Sequence, residues 1–223
     1  MDQLSQAEEN YLKAIFKICE SEDKPASTNA IASELKTSAA AVSDMLKRLS
    51  AKEKDLVHYK PHRGVTLTKD GNQLATMLIR KHRLWEVFLC DVLKFSWDEV
   101  HDMAEQLEHI RSEELINRLD EFLGNPKFDP HGDPIPDADG NFTKRKQIVL
   151  AALKEGESGV VVGVQEHSSA FLQYLDKMEL GLGVQIKVIE IFEFDSSVKV
   201  RLSNGKEFTI SNKVSDNLLV QKQ

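Results

Sequence analysis

Four residues near the middle of the 223-residue chain have the types and the spacing of a metal site. His101, Glu105, Glu108 and His109 are so placed that a helix running through them would set all four side chains in a wedge of about 100° on one face. Val100, Met103, Ala104, Leu107 and Ile110 fall on the opposite side, giving a core stripe that has no need of the His/Glu stripe. His82 and Glu86 repeat the pairing one turn apart just upstream. Imidazole nitrogen together with carboxylate oxygen suits borderline divalent ions such as Mn, Fe, Co, Ni and Zn. Calcium and magnesium favour all-oxygen cages, and copper(I) favours sulfur. One His or Glu on such a face is ordinarily just solvated; four in one wedge, with a second pair beside them, are better accounted for as ligands.

These side chains need elements to hold them, and the chain before them reads as a DNA-binding unit. Ser5 and Glu8 form a capping box ahead of Tyr11, Leu12, Ile15, Phe16 and Ile18, which predicts a helix over 6–20. Ser27-Thr28 caps a short helix through Leu35, Thr37-Ser38 makes a turn, and 39–49 forms a second short helix. That is the pattern of a helix-turn-helix. Small residues, Ala40 and Ala41 among them, let the second helix approach a major groove, where Ser38, Ser43, Asp44 and Lys47 are candidates for base or phosphate contacts and Arg48 adds charge. Asp44 suits this face only if it accepts from a cytosine amino group or pairs with a base such as Arg48. A hairpin follows, 56–59 and 65–68, joined through a turn that contains Lys60, Pro61, His62 and Arg63. It reads as a wing with a basic tip. An ordinary helical bundle with one hairpin is the competing account, and the local charge argues against it.

The net charge is -7, but its distribution matters more. Residues 36–69 carry eight Lys/Arg against three acids, whereas residues 98–139 carry thirteen acids against three bases. One segment suits an anionic partner and the other suits cations. Cys19 and Cys90 have no CxxC partner and read as reduced core thiols. There is no apolar run of membrane-spanning length, and the first residues lead into a charged helix, so a soluble cytoplasmic protein with no membrane partner is expected.

A long helix is predicted over 70–93. Leu84, Trp85, Phe88, Leu89, Phe95 and Trp97 exceed what one core face uses, so a twofold dimer contact competes with a core role for them. A third helix is expected over 112–123, followed by a Pro/Gly-fixed stretch with Asp129, His131 and the turn residue Asp133. Beyond a linker or short helix at 141–156 the chain turns β-rich, with strands at 160–164, 185–194, 197–202, 206–210 and 217–220. One helix at 168–180 interrupts them, with Glu166 and His167 just before it.

With EENYLKAIF in its first helix, RKHRLWEVFL and EVHDMAEQLEHI in its middle and DPHGDPIP after its third helix, the chain resembles the diphtheria toxin repressor family of metal-dependent transcriptional regulators, including its manganese-responsive branch. The resemblance covers nearly the whole chain. It implies a mainly α fold with C-terminal β: a winged helix-turn-helix domain over 1–71, a helical metal-binding and dimerisation domain over 72–140, and an SH3-like, FeoA-type barrel over 157–223. It also implies a primary site of Asn10, Glu105, Glu108 and His109. An ancillary site of His82, Glu86 and His101 would draw on Asp129 and His131, or on Glu166 or His167. Family members commonly carry Met or Asp where this chain has Asn10, a neutral and weaker ligand. Iron-responsive members carry Cys where this chain has Glu105, and a carboxylate there hardens the site. Mn(II) is therefore the expected ion, Fe(II) the other candidate, with further divalent transition metals binding in vitro.

The function this implies is a homodimeric repressor, activated by the ion to bind an inverted-repeat operator of metal homeostasis genes. In the metal-free chain, Glu105 and Glu108 would repel each other. A constitutive DNA-binding protein with a structural ion site is one alternative, and a helical-bundle metalloenzyme another. An enzyme is not expected: the chain lacks the repeated Glu-x-x-His of carboxylate-bridged bundles, a His-Glu-x-x-His motif and a Gly-rich phosphate loop.

Overall fold

The computed structural model describes residues 4–52, 55–60 and 63–223; Pro61 and His62, expected at the wing's tip, lie outside the described residues. The chain divides into two compact units, one of Met1–His82, Leu107–Ser112 and Pro136–Asn141, the other of Arg83–Gln106, Glu113–Ile135 and Phe142–Gln223. No described helix is long and apolar enough to cross a membrane.

In the first unit, α1 (Gln6–Glu22) starts at the capping box read from the sequence: Ser5 Oγ accepts from Glu8 N–H, and Glu8 reaches back to Ser5 N–H at 2.8 Å. Leu12 and Ile15 have no exposure and make the buried face of this helix. Asp23 ends it in a left-handed conformation. Next come α2 (Thr28–Glu34), capped by Ser27, and α3 (Ala39–Ser50), capped by Ser38. The hairpin of β1 (Val57–Lys60) and β2 (Gly64–Leu67) pairs Val57 with Leu67 and Lys60 with Gly64. An isolated bridge between Ala26 and Val65 fastens it beside α2. The helix α4 (Lys69–Val87) then begins so close to the wing that a Cβ at Gly71 would fall 2.0 Å from the Leu56 carbonyl oxygen. Only glycine fits there.

In the second unit α4 gives way at Val87 to a π-helical turn, Phe88–Val92, so the helix expected over 70–93 is not uniform. Of the apolar residues expected to compete for a dimer contact, Leu84, Trp85 and Leu89 are buried within this unit. Trp85 meets Phe88 edge-on at 5.7 Å, and Phe88 lies 6.4 Å from Phe122. Half of the surplus is therefore core. Apolar residues exposed in the helical part of this unit include Val92, Leu93, Phe95, Leu115 and Phe122, the last at 68%. Two shorter helices, α5 (Val100–Leu107) and α6 (Glu113–Phe122), complete the helical part.

The β-rich remainder is a six-stranded antiparallel sheet in the order β3-β8-β4-β5-β6-β7. Its strands are β3 (Ile148–Val149), β4 (Ser158–Val164), β5 (Gln185–Ile191), β6 (Val198–Leu202), β7 (Glu207–Ile210) and β8 (Leu218–Lys222). Alternation places Val198, Val200 and Leu202 inward, where α7 (Ser169–Met178) adds Leu172 and Leu175 to the same core. Burying each such side chain contributes about 1.5–3 kcal/mol. Leu150 and Leu153 also belong to this core, so the stretch expected as a linker or short helix packs into it from Leu150 on. A two-residue strand and a single 3-10 turn carry too short a period to be read from sequence.

Candidate metal centres and nucleic-acid face

In the first unit, α1 presents Glu9, Asn10 and Lys13, which lie within about one turn of one another. Lys13 Nζ donates to both oxygens of Glu108, at 2.6 and 2.8 Å, and Glu108 has no solvent exposure. His82 Nδ1 lies 2.7 Å from Glu108 Oε2. His109 Nδ1 lies 2.6 Å from Glu9 Oε2. An ionised carboxylate only accepts, so each of these Nδ1 atoms donates, and Nε2 is the atom through which the His109 ring could meet an ion. A carboxylate behind a ligating imidazole fixes its tautomer and raises its basicity. Asn10 Oδ1 is buried and has no hydrogen-bond partner among the described residues. An orphaned amide oxygen on the helix whose neighbouring residues hold Glu108 and His109 fits a cation.

This geometry corrects the single-helix wedge. The helix α5 stops at Leu107, and Glu108 and His109 lie in the turn beyond it, closed by Ile110 N–H on Leu107 C=O at 3.1 Å. Lys13 and Glu9 on α1 hold these two side chains. The same ion pair corrects the expectation of repulsion at Glu108, because the carboxylate is already neutralised by Lys13.

The second unit gathers Glu86, His101, Asp129 and His131. Glu86 Oε1 lies 3.4 Å from His101 Nδ1, and Glu86 Oε2 lies 3.7 Å from His131 Nδ1. One ligand atom each from Glu86, Asp129 and His131 falls within 4.8 Å of the others, and all three residues are buried. His131 Nε2 donates to the Trp97 carbonyl at 2.7 Å, which turns Nδ1 toward Glu86. Burial opposes charging this ring, but Glu86 and Asp129 outweigh it and raise the pKa to about 9. Burial, with Asp133 and Glu86 nearby, pushes Asp129 up to about 7. On α5, His101 and Glu105 approach to 3.9 Å.

The loop carrying Asp129 and His131 is pinned to β4. A Cβ on Gly132 would lie 2.1 Å from the Val162 carbonyl oxygen, so only glycine permits the approach. Arg145 ties the Gly132 and Val162 carbonyls together. Asp133, read as a turn residue, instead pairs with Arg83 at 3.1 Å. His167 stands beside this group, 5.1 Å from the His131 ring and 3.9 Å from Asp133. Glu166 accepts from the Ser168 N–H at 2.8 Å, just before α7.

On α3, Ala40, Ala41, Asp44, Lys47 and Arg48 are exposed together. Ser38 Oγ accepts from Ala41 N–H and keeps its own proton for an outside acceptor, while Ser43 donates its proton to Ala39 C=O. Asp44 pairs with Lys47 at 3.4 Å, and the partner suggested for it, Arg48, lies instead 3.8 Å from Glu8. Lys60 and Arg63 are exposed at the turn end of the hairpin. Reading along the sequence missed Glu9 and Lys13. Their spacing around Asn10 was visible, but their partners about a hundred residues away were not.

Three family models match consecutive parts of the chain. They are the iron dependent repressor N-terminal DNA binding domain at 3–65, the iron dependent repressor metal binding and dimerisation domain at 68–137, and the FeoA domain at 148–222. The iron-dependent repressor IdeR of Mycobacterium leprae is 34% identical over 170 residues, 73% of this chain and 72% of that one. The IdeR of Mycobacterium tuberculosis H37Rv is 38% identical over 137 residues, a match that spans 61% of this chain and 58% of the relative. The diphtheria toxin repressor of Corynebacterium diphtheriae is 28% identical with both chains covered in full. Among solved structures, a manganese-dependent transcriptional repressor in complex with manganese is 35% identical, with a TM-score of 0.86 and 97% of this chain covered.

Proposed function

Because the chain belongs to the iron-dependent, diphtheria toxin repressor family of metal-dependent transcriptional repressors, we propose that it is a cytoplasmic, homodimeric repressor that binds an inverted-repeat operator when loaded with Mn(II). The observation that carries this reading is the position of Glu9, Asn10 and Lys13 on α1, the first helix of the DNA-binding part. Glu9 and Lys13 reach His109 and Glu108. A change at Glu108 and His109 is therefore a change at α1.

Asn10, Glu105, Glu108 and His109 would hold the regulatory ion, and Glu86, His101, Asp129 and His131 a second one, with His82 offering Nε2 and Glu166 and His167 near at hand. The bound ion supplies concentrated positive charge and a demand for several ligands at once. Glu9 orients His109, and Glu108 links α1 to the end of α5 through Lys13. Oxygen and imidazole donors with no sulfur favour Mn(II), with Fe(II) next. The exposed face of α3 and the basic hairpin end supply groove and phosphate contacts. The exposed Leu93, Phe95, Leu115 and Phe122 supply an apolar face for a second copy.

Selection of bound sequences from random duplex DNA tests this, run with Mn(II), with Fe(II) under anaerobic conditions, and with chelator. Enrichment of an inverted repeat in the metal arms alone supports the switch. Equal enrichment in all arms overturns it in favour of constitutive DNA binding.

A further inference from the structure

Glu108 has a buried counter-charge beside it. Lys13 Nζ bridges its two oxygens at 2.6 and 2.8 Å, and His82 Nδ1 adds a third donor at 2.7 Å on Oε2. A carboxylate offers about four lone-pair directions, so three of them are engaged. Neither partner in the ion pair leans on water: the Lys13 side chain is 7% exposed and the Glu108 side chain not at all. Lys13 is thus the counter-ion that makes burial of Glu108 tolerable.

A divalent ion ligated by Glu108 would sit about 2.0–2.2 Å from one of these oxygens. An ammonium at its present distance would then be a close like charge in a water-poor place, where repulsion is screened far less than at the surface. The two cations would then compete for the same carboxylate.

We propose that Lys13 is a resident surrogate cation of the regulatory site: its ammonium holds Glu108 in the metal-free chain and leaves Glu108 when the ion binds. This rests on the reading of Glu108 as a ligand. Metal affinity is then set by competition with an internal charge. The chain responds only above an ion concentration that outweighs the Lys13–Glu108 pair. Lys13 shares α1 with Glu9 and Asn10, so the exchange of cations takes place on the helix that belongs to the DNA-binding part. In the metal-free chain the pair keeps α1 joined to Glu108, and release of Lys13 hands that junction to Asn10 and the ion.

The test uses the full chain and Mn(II) alone as probe. Mn(II) affinity is measured by loss of the free-ion electron paramagnetic resonance signal for wild type, Lys13→Gln, Lys13→Arg and His109→Ala. In parallel, the rate at which an amine-acylating reagent labels Lys13 in wild type is followed by mass spectrometry, with chelator and with Mn(II). The expected result is that Lys13→Gln binds Mn(II) about tenfold tighter or more, that Lys13→Arg stays near wild type, and that Mn(II) speeds acylation of Lys13. Unchanged or weaker binding by Lys13→Gln overturns the proposal, and so does tighter binding with Lys13 still protected. If Lys13→Gln does not fold, the acylation rates in wild type decide alone. Failure of the underlying reading looks different: wild type would not bind Mn(II), or His109→Ala would bind it as well as wild type does.

Discussion

Lys13 and Glu108, ninety-five positions apart in sequence, form a buried ion pair in which one ammonium meets both carboxylate oxygens, at 2.6 and 2.8 Å. Breaking such a pair from one side strands a buried charge and costs about 3–5 kcal/mol, whereas replacing both partners with apolar residues is often close to neutral. Glu108→Ala should therefore lose stability of that order in chelator. The double variant Lys13→Met, Glu108→Leu should recover most of it. Urea unfolding measures both, and a single variant as stable as wild type would contradict the pairing.

Asn10 offers a buried oxygen that no described residue uses. Giving that oxygen a charge should strengthen ion binding, and removing it should weaken binding. A contact to a charged group is worth about 1.5–3 kcal/mol, or roughly tenfold to a hundredfold. Asn10→Asp is expected to bind Mn(II) tighter and Asn10→Ala weaker, as read by calorimetric titration. Identical affinities for the two would remove Asn10 from the ligand set.

The exposed bases of α3 and the hairpin differ from Asp44 in what they lend to DNA. Arg63→Ala should weaken operator and non-operator DNA alike and flatten the plot of log affinity against log salt by about 0.9 for a lost phosphate contact. Asp44→Ala releases Lys47 from its ion pair and should tighten non-specific binding instead. Fluorescence anisotropy across a salt series separates the two, and parallel curves for Arg63→Ala and wild type would take that residue off the interface.

Phe122 is 68% exposed on α6, and Leu93 is 52% exposed. A charge in a dimer's apolar face disrupts association, at the cost here of one aromatic contact to Phe88. Phe122→Glu should elute as a monomer under light scattering at concentrations where wild type is dimeric. A dimeric Phe122→Glu variant with unchanged affinity would move the interface elsewhere.

Burial, reinforced by Asp91, raises the Cys90 thiol to about 12, and burial also raises Cys19. The thiolate is the reactive form, so at pH 7.5 neither should alkylate appreciably in the folded protein. Raising the pH toward 9 should change this little for Cys90. Iodoacetamide labelling read by mass spectrometry checks it, and both residues should label fully once the chain is unfolded.

Legibility in the sequence followed the range of the interactions. His101 and Glu105 lie one helical turn apart on α5, and local period was enough to pair them. Glu108 and His109 were read on regular helix, but α5 stops at Leu107 and their side chains meet Lys13 and Glu9 on α1. Leu84, Trp85 and Leu89 read as surplus since the π-helical turn and the aromatic contacts that bury them are tertiary facts. Alternation betrayed β5 and β6, whereas Leu150 and Leu153 sit in a stretch too short to have a period. Asp129 and His131 were visible as residue types, but the Gly132 approach to Val162 that places His131 beside Glu86 was not.

The most direct test of the central claim is operator affinity as a function of free Mn(II), measured by fluorescence anisotropy on the selected duplex for wild type and for His109→Ala. An allosteric coupling of about 1–3 kcal/mol corresponds to roughly 5- to 150-fold. The account predicts that Mn(II) tightens wild-type binding within or above that range and leaves His109→Ala near its chelator value. Equal wild-type affinity in chelator and in saturating Mn(II), or full activation of His109→Ala, would contradict it.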